Sequence, residues 1–345
     1  MSENSLILSR VDDSQADTLI GEFADASWRQ CPAYACAAAA QIRAVSEYVK
    51  ITHGDELVAL ANVRIKKLPV VGTGIAFISH GPMVVRKGGE FDGVVFCAVL
   101  RKLSEYYSET RKLCLRIEPH VYADALRDAV KTGFANAGFT RQAGNGYQTF
   151  MIDLAPDLET LRKKLNGKWR TDLNRGERGG LRITRSSEAE DFDRFAPLLE
   201  QLADKKGFLA PQDAKFFKNV AAQAGLSDNI TVHLAWNGDE LVGGHIGSFT
   251  GDTAVYLLGA TTDKGRNLRA SYVLQWAVME HAKSLGMARY DLGGVDEKAN
   301  PAVHRFKKRM GGIFVENLVI CEKMPAQPHS AIIKGAEYLY RKIKG

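Results

Sequence analysis

Hydrophobic and polar positions along the chain follow two periods. Short apolar and β-branched runs at 45–53, 59–65, 75–79, 112–119, 230–236, 243–249, 253–261 and 288–294 read as strands. Helical spacing marks Asp13–Ala26, 94–109, Ala123–Ala137, Ser187–Lys206, 270–286 and Pro301–Arg309. Val273, Leu274, Ala277, Val278, Ala282 and Leu285 form one such stripe, and Gly286 is a natural stop. The elements occur twice in the same order. Gly54-Asp55-Glu56-Leu57-Val58 recurs as Gly238-Asp239-Glu240-Leu241-Val242, each a polar turn between two strand-like runs. A helix precedes each hairpin; a strand, a helix, a strand, a short helix and a last strand pair follow. Helices alternating with strands predict two α/β domains with mixed sheets. Pro156 interrupts the pattern, so the first domain is placed at 1–153 and the second at 154–324. The last segment, 325–345, contains an amphipathic helix with Ile332, Ile333, Ala336, Leu339, Tyr340 and Ile343 on one stripe. It is expected to pack on the first domain, with docking to a membrane surface as the alternative.

A length of 345 residues agrees with two domains. A composition 45% hydrophobic and 25% charged excludes a disordered chain. The longest apolar run, Gly93–Leu100, is far short of the roughly 18 residues of a membrane span. The start is acidic (Glu3, Asp12, Asp13) and shows no secretory or transit signal, which reads as cytoplasmic. The five cysteines lack framework spacing and point to a reducing compartment. No zinc or P-loop motif appears, so no metal is expected. Charge is the less ordinary feature. The net charge is +6, yet residues 161–185 alone carry nine Lys/Arg against two acids. A second basic cluster is His304-Arg305-Phe306-Lys307-Lys308-Arg309, and a third includes Lys334, Arg341, Lys342 and Lys344. Such clusters on a near-neutral scaffold point to a polyanionic partner: nucleic acid, nucleotide phosphates or an anionic membrane.

The element order resembles the acyltransferase fold known as GNAT, here as two tandem copies. That resemblance implies a glycine-rich phosphate turn before the central helix. The matching residues are Arg266-Asn267-Leu268-Arg269-Ala270-Ser271, with Arg269 in place of the middle glycine. Arg266 and Arg269 are therefore candidates to meet an anionic substrate group. A doubled GNAT fold with a degraded turn resembles the Fem family, tRNA-dependent aminoacyltransferases that build peptidoglycan bridges. The likeness is carried by His80-Gly81-Pro82, Arg116-Ile117-Glu118-Pro119, Thr149–Leu154, Trp169-Arg170 with Leu173-Asn174-Arg175, and Gly180-Leu181. It continues in Gln275-Trp276, Tyr290-Asp291-Leu292-Gly293-Gly294, then Phe306-Lys307 and Gly311-Gly312.

The resemblance implies that Lys307 and Phe306 lie at the active centre. An ammonium there can stabilise the oxyanion formed when an amine attacks an ester carbonyl. It further implies substrate-binding roles for Glu118, in the cleft between the domains, and for Lys206 in a Lys205-Lys206-Gly207 string. Tyr256, on the central strand of the second domain, is a further substrate-binding candidate if it points into the cleft rather than packing in the sheet. Arg170, Arg175 and Arg178 are expected to face tRNA or another polyanion. His304 and Asp291 are candidate bases, with Asp296 and Glu297 nearby. The expected donor is aminoacyl-tRNA without a cofactor. The expected acceptor is an amine on a soluble or lipid-linked peptidoglycan precursor. Peripheral contact with an anionic membrane at its inner face is a further expectation. The alternative activity is N-acyl transfer from acyl-CoA or an acyl carrier in envelope biosynthesis. One departure concerns the acceptor. Family members acting on the soluble nucleotide precursor carry a Lys soon after an aromatic-Ala pair, whereas Tyr34-Ala35 here runs into Cys36 and four alanines.

Overall fold

A computed structural model describes residues 5–69, 71–120, 124–206, 213–223, 225 and 229–344, with the side chains of 124, 205, 206 and 344 left out. The chain divides into two units, 1–147 with 316–345, and 148–315.

The first unit runs β1 (Leu6–Val11), α1 (Asp13–Ile20), α2 (Pro32–Gln41), β2 (Val45–His53), β3 (Glu56–Lys67), β4 (Gly74–Ser79), α3 (Gly93–Ser104), β5 (Leu113–Glu118), α4 (Asp124–Asn136) and β6 (Thr140–Arg141). The second holds β7 (Gln148–Asp153), α5 (Leu158–Lys164), α6 (Gly167–Arg178), β8 (Arg182–Ser186), α7 (Ala189–Lys206), α8 (Ala214–Ala222), β9 (Ile230–Asn237), β10 (Glu240–Thr250), β11 (Thr253–Thr261), α9 (Asp263–Asn267), α10 (Ala270–Ser284), β12 (Arg289–Asp291), α11 (Pro301–Lys308) and β13 (Ile313–Glu316). The chain then returns to the first unit as β14 (Cys321–Lys323) and α12 (His329–Lys344).

The two sheets are built alike. One is ordered β1-β2-β3-β4-β5-β14-β6, the other β13-β7-β12-β11-β10-β9-β8. Each has a single parallel pair among the registered ladders, β4 with β5 and β11 with β12. Each central hairpin closes on the repeated Gly-Asp turn, with Gly54 and Gly238 at φ +58° and +63°. Those left-handed angles suit glycine and match the twist of the flanking strands.

The units part at 147/148 rather than at 153/154. The stretch Gln148–Asp153 pairs antiparallel with β12, placing Met151, Ile152 and Asp153 opposite Asp291, Tyr290 and Arg289. Likewise β14 sits between β5 and β6, so 316–324 belongs to the first unit instead of the second. A break in local pattern near Pro156 carries no information about such non-local pairing. The 325–345 segment does meet the first unit, where Arg116 Nη1 donates to Glu337 Oε1 at 2.6 Å.

Each sheet is covered by helices. In the first unit Val99, Leu103 and Phe134 cover Val63, Ile78 and Leu115. Ile20, Phe23 and Tyr48 form a smaller cluster with α1 and α2. The alanine-rich α2 has no clear amphipathic period, which is why the sequence pattern passes over it. In the second unit Trp169, Leu173, Trp276 and Met279 pack with Phe150, Tyr290 and Leu292. All five cysteines are free thiols. Among the described residues no helix is long and apolar enough to cross a membrane.

Candidate active site

The site begins with a strand mismatch in the second unit. β11 pairs with β12 only over Thr253–Val255, opposite Arg289–Asp291. β12 then ends, while β11 continues to Thr261. An extra residue, Leu257, bulges from β11 against β10, where Ile246 pairs with Leu258 and Gly247 with Tyr256. Bulges bend a strand locally and re-aim its side chains. Beside this opening lies a cavity of about 270 Å³ lined from α7, β10, β11, α9, α10 and α11, including His245, Tyr256, Gly259, Arg266, Gln275 and Phe306.

Lys307 also lines this cavity, from α11. Asn300 caps that helix by accepting from Val303 N, and Pro301 occupies its first turn. The Lys307 side chain is buried, 5% exposed. Its Nζ donates to Gly294 O at 3.0 Å and lies 4.7 Å from the Tyr256 ring centre. A buried ammonium is costly unless such groups replace its water. The Gly293-Gly294 turn that presents this carbonyl requires glycine. Gly293 has φ +76°, and a Cβ there would come within 2.6 Å of Tyr256 O. Asp291 Oδ1 holds the same turn by accepting from Gly293 N at 2.8 Å and from Thr149 Oγ1.

Behind Lys307 is a polar relay. Tyr290 Oη donates to Gln275 Oε1 at 2.6 Å and lies 3.2 Å from His245 Nε2. Burial, with Lys307 nearby, lowers His245 to a pKa of about 3, so its ring is neutral at neutral pH. Burial pushes Tyr256 up to about 12. Neither group is poised to take a proton at pH 7, and among the described residues the lining contains no carboxylate.

The structure thus brings Lys307, Phe306, Tyr256 and Arg266 together and leaves other candidates elsewhere. Arg269 is absent from the lining. It sits at φ +62° before α10, and its Nε donates to Asp172 Oδ1 on α6 at 2.7 Å. The left-handed angle explains why the corresponding GNAT position favours glycine. Neither candidate base faces the cavity. His304 Nδ1 is 3.8 Å from Glu297, and its ring packs 5.2 Å from Phe150. Asp291 is engaged with the turn. Arg175 and Arg178 are exposed on α6, whereas Arg170 is half-buried and donates to Lys163 O. The side chain of Lys206 lies outside the described residues. His245 and Tyr290 were not singled out from sequence as functional residues. A histidine inside the otherwise apolar β10 run was the available signal.

Glu118 belongs to the first unit, at the end of β5. Its Oε2 accepts from Ser79 Oγ at 2.7 Å and from Arg29 Nη1 at 3.1 Å. Arg64 stands in the same cluster, bonded to Tyr34, and burial lowers its pKa. Arg29 and Arg64 thus set two guanidinium groups near Glu118. His80 adjoins the cluster. It is buried at φ +54°, with Nδ1 3.2 Å from Ser27 Oγ and its ring stacked 4.7 Å from His120.

The doubled architecture and the cavity at the splayed strands define a tandem GNAT-like chain. A family model described as an acetyltransferase (GNAT) domain matches residues 161–308. The chain is 22% identical to the lipid II:glycine glycyltransferase of Staphylococcus saprophyticus, covering 79% of this chain and 82% of that protein. It is 20% identical to that of Staphylococcus aureus, covering 86% and 88%. The crystal structure of FemX superposes with a TM-score of 0.79 at 17% identity, over 95% of this chain and 99% of that one. The likeness to the Fem family therefore holds over most of the chain.

Proposed function

We propose that this protein is an aminoacyltransferase that moves an amino acid from aminoacyl-tRNA to an amine of a peptidoglycan precursor. The observation carrying this reading is the buried Lys307 ammonium beside Phe306 at the open strand edge, in a chain similar to glycyltransferases named for lipid II. The acceptor nitrogen attacks the ester carbonyl, and negative charge grows on its oxygen. Lys307 is the cavity cation best placed to meet that charge, and partial exclusion of water strengthens the interaction. The new C–N bond forms as the C–O bond to ribose breaks. The nitrogen must lose a proton, and the ribose oxygen must gain one. With no carboxylate among the described residues of the lining and His245 held near 3, direct passage of that proton between the substrates is the route in keeping with the lining. The donor is already an activated ester, so the step needs no cofactor. The reaction would take place on the cytoplasmic side, where aminoacyl-tRNA is made.

The competing donor is acyl-CoA. Arg266 lines the cavity and could meet a phosphate. Its guanidinium is paired with Asp263, however, and the degraded turn places Arg269 against Asp172. Incubating the protein and a pentapeptide precursor with labelled glycyl-tRNA or labelled acetyl-CoA separates the two donors. Transfer of the tRNA-borne label is expected. Transfer from acetyl-CoA alone would overturn the proposal.

A further inference from the structure

α12 is held at one end and solvent-exposed at the other. Ile333 is buried, and Glu337 is paired with Arg116. From Tyr338 to Ile343 every side chain is exposed, with Leu339 at 60% and Ile343 at 83%. Ile332, Ala336, Leu339 and Ile343 succeed one another at steps of four, three and four residues. The half-buried face of the first turns therefore continues into solvent as one stripe. Four of the twelve large hydrophobic side chains found exposed among the described residues fall within Tyr338–Ile343, so this is a patch rather than scatter. Lys334, Arg341 and Lys342 flank it, also exposed, and Lys342 Nζ lies 5.1 Å from the Tyr338 ring centre. The one acid of the segment, Glu337, is already neutralised by its ion pair.

We propose that the outer end of α12 docks on an anionic lipid surface. Leu339 and Ile343 enter the boundary between headgroups and acyl chains, while Lys334, Arg341 and Lys342 meet lipid phosphates. The alternatives satisfy only half of the surface. A nucleic acid would take the cations and leave the stripe in water. A second copy would cover the stripe and set cations against cations. The proposal does not depend on the identity of the acyl donor or acceptor.

The test is co-sedimentation of the full chain with vesicles of phosphatidylcholine alone, or of phosphatidylcholine mixed with phosphatidylglycerol. The anionic vesicles should bind about tenfold more strongly, and the preference should fall as salt is raised. Leu339→Gln/Ile343→Gln should weaken binding by about tenfold, and Arg341→Glu/Lys342→Glu should abolish the preference for anionic vesicles. Val94→Gln, at an exposed apolar position on α3, should leave binding unchanged. All four sites are exposed, so melting temperatures should match the parent. Equal binding to both vesicle types would overturn the proposal, as would unchanged binding of both double variants. So would a concentration-dependent dimer abolished by Leu339→Gln/Ile343→Gln.

Discussion

His233, on β9, offers a quantitative test of packing in the second unit. It is 2% exposed, and neither ring nitrogen has a hydrogen-bond partner among the described residues. Its ring centre lies 5.3 Å from that of His281 and 5.9 Å from that of His245. Burial lowers His233 to a pKa of about 2, with His245, His281 and Arg185 acting in the same direction. An unfolded histidine titrates near 6.5, so between pH 6.5 and the folded value the unfolded chain binds one more proton. Stability from this group is full above pH 6.5 and drains away as pH falls. Moving from pH 7 to pH 5 should cost about 2 kcal/mol for His233. His233→Leu removes that cost and two unpartnered polar atoms. The variant should be more stable by about 1 kcal/mol at pH 7 and by about 3 kcal/mol at pH 5. Urea unfolding followed by tryptophan fluorescence suits the question, because Trp169, Trp236 and Trp276 all lie in this unit. A stability gap identical at both pH values would refute the reasoning, as would a variant markedly weaker at pH 7.

Three further predictions concern the site and the exposed face of α6. Asp291→Asn should lower stability by about 1–3 kcal/mol, because it weakens the bonds to Thr149 and Gly293 N, and a melting curve reads this directly. A large rate loss at unchanged stability would instead mark Asp291 as a base. Tyr256→Phe keeps the ring under Lys307 and should alter transfer rates little. Gly259→Ala should impair transfer by about tenfold or more, since its Cβ would meet Tyr256 Oη at 2.3 Å and displace that ring. Steady-state kinetics of the two variants would show the contrast. If α6 contacts polynucleotide, Arg175→Gln/Arg178→Gln should reduce the slope of log binding constant against log salt by about 1.5, measured by filter binding.

Much of the fold was legible because it is written in local periods. The duplicated Gly-Asp turn fixed both hairpins, and the stripe through Leu274, Val278 and Ala282 fixed the central helix of the second unit. The exchange of β7 and β14 was not legible, since strand partners are chosen by long-range contacts and a short apolar strand such as Thr149–Ile152 fits either sheet. The site was read in part. Phe306 and Lys307 are singled out by the family resemblance alone, and they meet Tyr256 and Arg266 around one cavity. The charge on Arg269 suggested an anion contact, but only coordinates show Asp172 taking that guanidinium. His304 and Asp291 carry the right functional groups for a base, but Asp291 is bonded to Thr149 and the Gly293 turn, and the His304 ring packs on Phe150 beside Glu297. His245 carries no functional signal of its own in the sequence; only the fold sets it in the cavity lining, 3.2 Å from Tyr290 Oη.

The central claim is that the buried Lys307 ammonium acts on the developing oxyanion. Single-turnover transfer by Lys307→Met, with glycyl-tRNA and a pentapeptide precursor, tests it most directly. Methionine fills a similar volume without the charge. The chemical step is predicted to slow by about 10²–10³ with the melting temperature preserved. A rate within about twofold of the parent, far short of the loss expected for an oxyanion donor, would contradict the claim.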